Sequence, residues 1–209
     1  MINPFSDCAD RLQMTRKGLI WTVIIVVLLP VVFLEDDSID RVLKDLRVPG
    51  LLRLMQILTW LGVGWVQAVV AAVLLGIGYL RNNLKLRKAA VLSLIALAVS
   101  GLGVQTLKHL IGRPRPRLAD QGIFGWGPSF QSGHDSLPSG HALSSFAMAA
   151  VLSAFYPAGQ WVWYPLAVLV AFTRIYIGAH FASDVVVGAV LGVLIGIWAS
   201  RLKLEHLKP

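Results

Sequence analysis

Charge is scarce along this chain. Asp, Glu, Lys and Arg make up 14% of its 209 residues, against 56% hydrophobic residues, and the mean hydropathy is +0.69. Soluble domains carry about 25% charged residues, so an ordinary polar surface is excluded. Residues 18–34, 57–80, 89–107, 142–155, 161–173 and 185–200 contain no charge at all. A bilayer core about 30 Å thick takes about 20 helical residues, and the shorter runs reach that length by borrowing their flanks. The pattern predicts an all-α polytopic membrane bundle of six transmembrane helices, one domain spanning 1–209.

Cysteine is nearly absent. The single Cys8 excludes an intrachain disulfide and a cysteine metal site. Acid is also short, with 11 acidic against 19 basic residues and a net charge of +8. Most of the basic residues flank apolar runs instead of forming a polar basic domain, so a nucleic-acid partner is not expected. No acid or base falls in the middle of a run, where a proton-coupled transporter needs one. Arg16-Lys17 precedes the first run and Leu34-Glu35-Asp36-Asp37 follows it without a small-x-small site, so the expectation is an uncleaved first helix.

Loop charges suggest the orientation. With six spans, Arg11, Arg16 and Lys17, then Arg81, Lys85, Arg87 and Lys88, then Arg201, Lys203 and Lys208 fall on one side. The positive-inside rule makes that side cytoplasmic, with both termini there and the protein in the inner (cytoplasmic) membrane. The periplasmic or extracellular face then carries Glu35, Asp36, Asp37, Asp40 and Asp45. It also carries Lys108, Arg113, Arg115, Arg117 and Arg174, which run against the rule unless some of them bind an anion.

Smaller features complete the pattern. Ser38 reads as an N-cap for Ile39, Val42, Leu43 and Leu46, up to a break at Pro49-Gly50. The segment is either an amphipathic helix on the outer surface or a connector packed on the bundle. Gly188, Gly192 and Gly196 recur every four residues and predict close helix packing within the chain, with a homodimer face as the alternative. The polar connection from His109 to Ser136 holds Phe124, Trp126 and Phe130, expected to pin it to the bilayer, or else to line a lipid access path.

Three ordered blocks carry the chemistry: Lys108-x6-Arg115-Pro116, Pro138-Ser139-Gly140-His141, and Arg174-x5-His180-x3-Asp184. A transferred phosphoryl group spreads negative charge over its oxygens, so its catalysis is mostly positioning and electrostatic stabilisation. Arg115 and Arg174 offer planar forks and Lys108 a point charge. Ser139 and Gly140 open a helix whose free N–H groups favour anions. His180 and Asp184, four apart, share a helical face on which a carboxylate can orient an imidazole. Arg113 and Arg117 fall outside this pattern and are expected to be solvated or to face headgroups. His134-Asp135 lies close by, but three cations disfavour a divalent metal, so no metal and no cofactor are expected. His109 and His206 have no such company and are assigned nothing.

The ordered set resembles the signature of the type 2 phosphatidic acid phosphatase family, over Lys108 to Asp184. The first hundred residues match that family only in being helical and membrane-embedded. One departure is Thr173 before Arg174, where the family usually has serine; the hydroxyl is kept. The resemblance implies a metal-independent lipid phosphatase with its site on the outer face. It implies that His180 attacks phosphorus, that Asp184 holds the other ring nitrogen, and that His141 protonates the leaving oxygen and then activates water. Lys108, Arg115, Ser139, Gly140 and Arg174 would hold the phosphoryl group. Undecaprenyl pyrophosphate, phosphatidylglycerol phosphate, phosphatidate and lipid A 1-phosphate are the implied substrates. A lipid phosphotransferase using the same intermediate is the close alternative. A serine hydrolase built on Ser139 would leave the three cations idle, and a non-enzymatic lipid carrier would leave both histidines idle.

Overall fold

The computed structural model describes residues 28–204. Cys8, Arg11, Arg16, Lys17, His206, Lys208 and most of the first apolar run lie outside them. Residues 28–34 are helical, and α1 (Asp36–Asp45) follows after Glu35. Ser38 therefore sits inside the helix, and Glu35 holds the N-cap position without a side-chain bond. The acids turn inward: Asp36 and Asp40 are buried while Val42 and Leu46 are exposed. The expected apolar stripe is thus split, with two of its members facing away from the protein.

Pro49-Gly50 opens a helix instead of merely ending one. Proline lacks the N–H that a first helical turn leaves unpaired, and α2 runs Pro49–Leu58 with Pro49 at its start. A 3-10 turn, Thr59–Gly62, and the extended Val63 separate it from α3 (Gly64–Leu80). The two helices meet at a 54° bend, so the single run expected over 57–80 is a broken one. Asn83 caps α4 (Leu84–Ile111) by accepting from Leu86 N. Arg87 donates to Gly78 O and Asn82 Oδ1, satisfying carbonyls at the close of α3. The short α5 (Pro116–Ala119), α6 (Gly140–Phe155), α7 (Gln160–Tyr176) and α8 (Ala182–Ser200) complete the chain.

Among the described residues, α8 and the run built on α4 are long and apolar enough to cross a membrane, and the bent α2–α3 pair makes a third if taken as one span. The shorter α6 is apolar but has only 16 residues. Six spans, as expected from composition, exceed this number, because α6 and α7 have only 16 and 17 residues, the run over 57–80 is broken, and the first run lies mostly outside the described residues.

The centre of the bundle is α6, packed on α4, α7 and α8. Its inner residues are small: Ala142, Ser144, Ser145, Ala147, Ala149 and Ala150 are all buried. A Cβ at Gly188, Gly192 or Gly196 would collide with the backbone oxygen of Ser139, Leu143 or Ala147 in turn. Each glycine therefore meets α6 one turn further along. The three glycines are buried against α6, in line with the expected close packing within the chain. This contact also ties α8 to the Ser139 turn, where Ser139 N donates to Asp184 O.

Replacing Gly192 by alanine should cost about 1–3 kcal/mol through overpacking. Thermal unfolding in detergent should register it as a lowered Tm. Gly101→Ala, in open space on α4, should leave Tm unchanged or slightly raised.

Candidate active site

Three chain turns bring the sequence blocks to one end of the bundle. The first follows Lys108, buried in the last turn of α4. Gly112 closes that helix in the left-handed region at φ 57°, ψ 38°, and a side chain there would strike Gly127 O. Beyond it Arg115 N donates to Gly133 O and Ser136 N donates to Arg113 O. These bonds lay residues 113–115 beside 133–136 and set Arg115 against Asp135. The Arg115 fork grips that carboxylate with Nε at 2.9 Å and Nη2 at 2.7 Å, and Lys108 Nζ lies 3.7 Å from the same group. Burial would raise the Asp135 pKa, but the bonds and charge of Arg115, helped by Lys108, hold it below the usual carboxylate value.

The second turn is the start of α6. Ser139 occupies the N-cap position, yet its Oγ makes no cap bond and has no partner among the described residues, although it is fully buried. The hydroxyl and the amides at the helix start thus remain for an anion. His141 follows in the first turn. A Cβ at Gly62 would lie 2.9 Å from its Cδ2, so the 3-10 turn between α2 and α3 backs the imidazole closely.

The third turn joins α7 to α8. Arg174, in the last turn of α7, donates from Nη1 to Thr59 Oγ1 at 2.9 Å, and its Nε is buried without a partner among the described residues. Its carbonyl accepts from Ala179 N and His180 N, which folds the loop back over the site. Arg174, Lys108 and Arg115 all lie within electrostatic reach of His141, so the three blocks lie close together at this end of the bundle.

His180 is 2% exposed, and its Nδ1 stands 3.6 Å from Asp184 Oδ2. That separation is longer than a hydrogen bond. Burial pushes the imidazole pKa down to about 4 against the upward pull of Asp184, with Lys108 and Arg115 adding to the fall. The ring is therefore neutral at pH 7. With Nδ1 turned to the carboxylate, Nε2 keeps its lone pair.

Asp184 itself is fully buried. Its Oδ2 accepts from Ser136 Oγ at 2.5 Å and Phe181 N at 3.0 Å, and its Oδ1 accepts from Arg113 Nη1 at 2.6 Å. Arg113 is thus not solvated, as its place outside the sequence pattern suggested. It is 6% exposed and also grips Asp36 at 2.7 Å and Ser183 Oγ at 2.7 Å. Phe33, Trp126 and Phe181 surround its guanidinium with ring centroids 5.2, 5.1 and 4.4 Å away. Trp126 packs on Arg113 with part of its ring exposed, and Phe124 and Phe130 are exposed as well.

Sequence spacing missed Arg113, Asp36, Ser136, Asp135, Thr59 and Gly62. The available signal was the second arginine in Arg113-Pro114-Arg115 and an acidic run too long for a simple helix cap. Arg117 is exposed as expected, and His109 stacks on Phe130 with centroids 4.5 Å apart. Arg113→Leu should destabilise the protein by about 3–5 kcal/mol, because it strands two buried carboxylates. Arg117→Leu should stay within about 0.5 kcal/mol of wild type in the same thermal unfolding assay.

A family model, the PAP2 superfamily, matches residues 89–207, more than half of the chain. The lipid A 1-phosphatase of Rhizobium johnstonii is 36% identical over 105 residues, which cover 49% of this chain and 41% of that protein. The match thus spans about two-fifths of the length of that relative. Phosphatidylglycerophosphatase B of Bacillus subtilis is 26% identical over 177 residues, 77% of this chain and 79% of its own. Two solved structures share the fold. The transmembrane PAP2-type phosphatidylglycerolphosphate phosphatase of Bacillus subtilis superposes with a TM-score of 0.64 at 23% identity, covering 88% of this chain and 96% of that one. LpxE of Aquifex aeolicus gives 0.59 at 24% identity, covering 79% and 94%. With its three blocks assembled at one end of an all-helical, membrane-type bundle, this chain belongs to the PAP2 superfamily.

Proposed function

We propose that this protein is a membrane lipid phosphatase working through a phosphohistidine. One observation carries the reading: His180 is buried beside Asp184, within electrostatic reach of Lys108 and Arg115, at the end of the bundle that also holds Arg174 and the start of α6. The names of relatives support the substrate class, since they include lipid A 1-phosphatases, an undecaprenyl-diphosphatase and a phosphatidylglycerophosphatase. The common substrate is a phosphate ester or pyrophosphate on a lipid.

In the first step His180 Nε2 attacks phosphorus and the bond to the leaving oxygen breaks. His141, which burial and the neighbouring cations hold neutral in the free site, takes up a proton once the bound phosphate offsets their charge, and gives it to that oxygen. Positive charge on the His180 ring is balanced by Asp184, which Arg113 and Ser136 hold in place. Lys108, Arg115, Arg174 and the amides near Ser139 and Gly140 take the charge on the equatorial oxygens. In the second step water attacks the phosphohistidine, His141 takes its proton, and the N–P bond breaks to release phosphate. The cations supply the electrostatic role that a divalent metal plays elsewhere, and they would repel one.

The proposed setting is the inner membrane with the site on the outer face. Six spans and cytoplasmic termini follow from the basic flanks of the apolar runs and the positive-inside rule. The exposed Val42 and Leu46 of α1, beside the site, suit contact with the outer leaflet.

His180→Ala should abolish phosphate release from undecaprenyl pyrophosphate and from a lipid A 1-phosphate, together with the acid-labile phosphoenzyme. Turnover surviving in that variant would refute the nucleophile. Release by the wild type should persist in EDTA. Arg115→Lys should lose most of the activity, because a point charge cannot replace the fork; wild-type rates there would place Arg115 outside the phosphate contacts.

A further inference from the structure

Beneath His141 lies a cavity of about 550 Å3, within the roughly 300–1,000 Å3 typical of ligand pockets. It runs between α3, α6 and α7, from Leu61 and Val170 at the site end to Arg81 and Tyr156 at the other. Its walls are mainly apolar. The exception near the site is Gln67, whose Nε2 donates to Leu61 O at 3.1 Å and to Ser145 Oγ at 2.7 Å. Those bonds fix which end of the amide is oxygen, since a flipped Oε1 would face the Leu61 carbonyl. Gln67 is 6% exposed, and its Oε1 has no partner among the described residues. A buried acceptor without a partner costs about 1–3 kcal/mol. The terminal amide torsion is soft, so a small rotation can present Oε1 to the cavity.

The position gives this acceptor its meaning. Ser145 is four residues after His141 on α6, about 6 Å further along the helix axis. A lipid phosphate held beside His141 would have the first atoms of its chains within reach of this depth. We propose that the cavity takes a hydrocarbon chain of the substrate and that Gln67 Oε1 accepts a hydrogen bond from an N–H or O–H at the chain's linkage. The favoured class is a lipid phosphate with amide-linked or hydroxylated chains; ester-linked and purely isoprenoid chains have no donor there. This deepens the phosphatase reading and rests on it for the placement of the headgroup.

The test uses two synthetic lipid 1-phosphates of equal chain length, one amide-linked and the other its ester isostere. Affinity is measured on His180→Ala protein in detergent, and kcat/KM on the wild type. The expected preference for the amide is roughly tenfold in both, and it should vanish when Gln67→Leu is added. Equal affinity for the two lipids, or a preference that survives Gln67→Leu, would mean that an ordinary bilayer chain or another segment of the protein fills the cavity, and would overturn the proposal. Should Gln67→Leu fail to fold, the amide-to-ester ratio of the unaltered residue decides alone. A binding preference without phosphate release from either lipid would sink the phosphatase reading and leave the linkage site standing.

A separate observation concerns Asp135. Its carboxylate holds the same Arg115 fork and approaches the same Lys108 that the phosphate needs. We infer that Asp135 is an exchangeable counter-ion, displaced when a phosphate oxyanion binds and returning as phosphate leaves. Inorganic phosphate as a competitive inhibitor of the wild type tests the underlying site, and absence of any inhibition would remove site and proposal together. The sign of the change in Asp135→Asn tests the counter-ion itself. Removing a competing charge should tighten phosphate by about fivefold or more. Weaker or unchanged inhibition would instead make Asp135 a residue that positions Arg115, and would overturn the inference.

Discussion

The burial of one carboxylate organises this end of the molecule. A charge removed from water must be paired and hydrogen-bonded, or it becomes protonated. Asp184 meets that demand with Arg113 from beyond α4, Ser136 from the loop before α6 and Phe181 N from its own helix start. Arg113 in turn needs a second anion, and Asp36 at the start of α1 provides it. Asp36 also accepts from Ser183 N and Ser183 Oγ. Four chain segments far apart in sequence, around Asp36, Arg113, Ser136 and Phe181–Asp184, are therefore bound by a single charge requirement.

That requirement explains why the site can be rigid in an otherwise apolar bundle. Helix packing through Gly188, Gly192 and Gly196 fixes the distance between α6 and α8, but small residues alone leave rotation about the helix axes weakly determined. The polar network fixes the rotation, because Asp184 reaches its partners from one face of α8 only. Positioning of this kind is what phosphoryl transfer rewards, since the protein contributes orientation and charge more than covalent chemistry.

Much of the proposed chemistry was legible in the sequence because each charged or imidazole residue of the three blocks has a type that few other roles demand. Lys108, Arg115, Arg174, His141 and His180 stand at or beside helix ends, where charge near an apolar run calls for a reason. Arg113 was not legible. It differs from Arg115 by two residues, and only the left-handed Gly112 and the pairing with residues 133–136 send one inward and the other to the site. Asp36 looked like part of a solvated acidic run for the same reason: its partner is 77 residues away. The fold was legible in class and less so in detail. Hydropathy marks apolar runs without showing where a backbone bends, so the break at Gly62 and Val63 was invisible.

The bend and the cavity are linked physically. A straight helix through residues 49–80 would carry its side chains past α6 at one constant distance. The 54° bend after Gly62 instead brings the 3-10 turn hard against His141 while α3 diverges from α6 and α7 below it. The gap so opened begins one helical turn under the site, and Gln67, in the first turns of α3, is the first side chain able to reach across it to Ser145. Glycine at position 62 is thus needed for close approach to the imidazole, while the extended Val63 carries the change of direction that leaves room beside it. A lipid whose phosphate sits among the cations must send its chains somewhere within the bilayer, and the bend gives them a path that starts beside the reacting group.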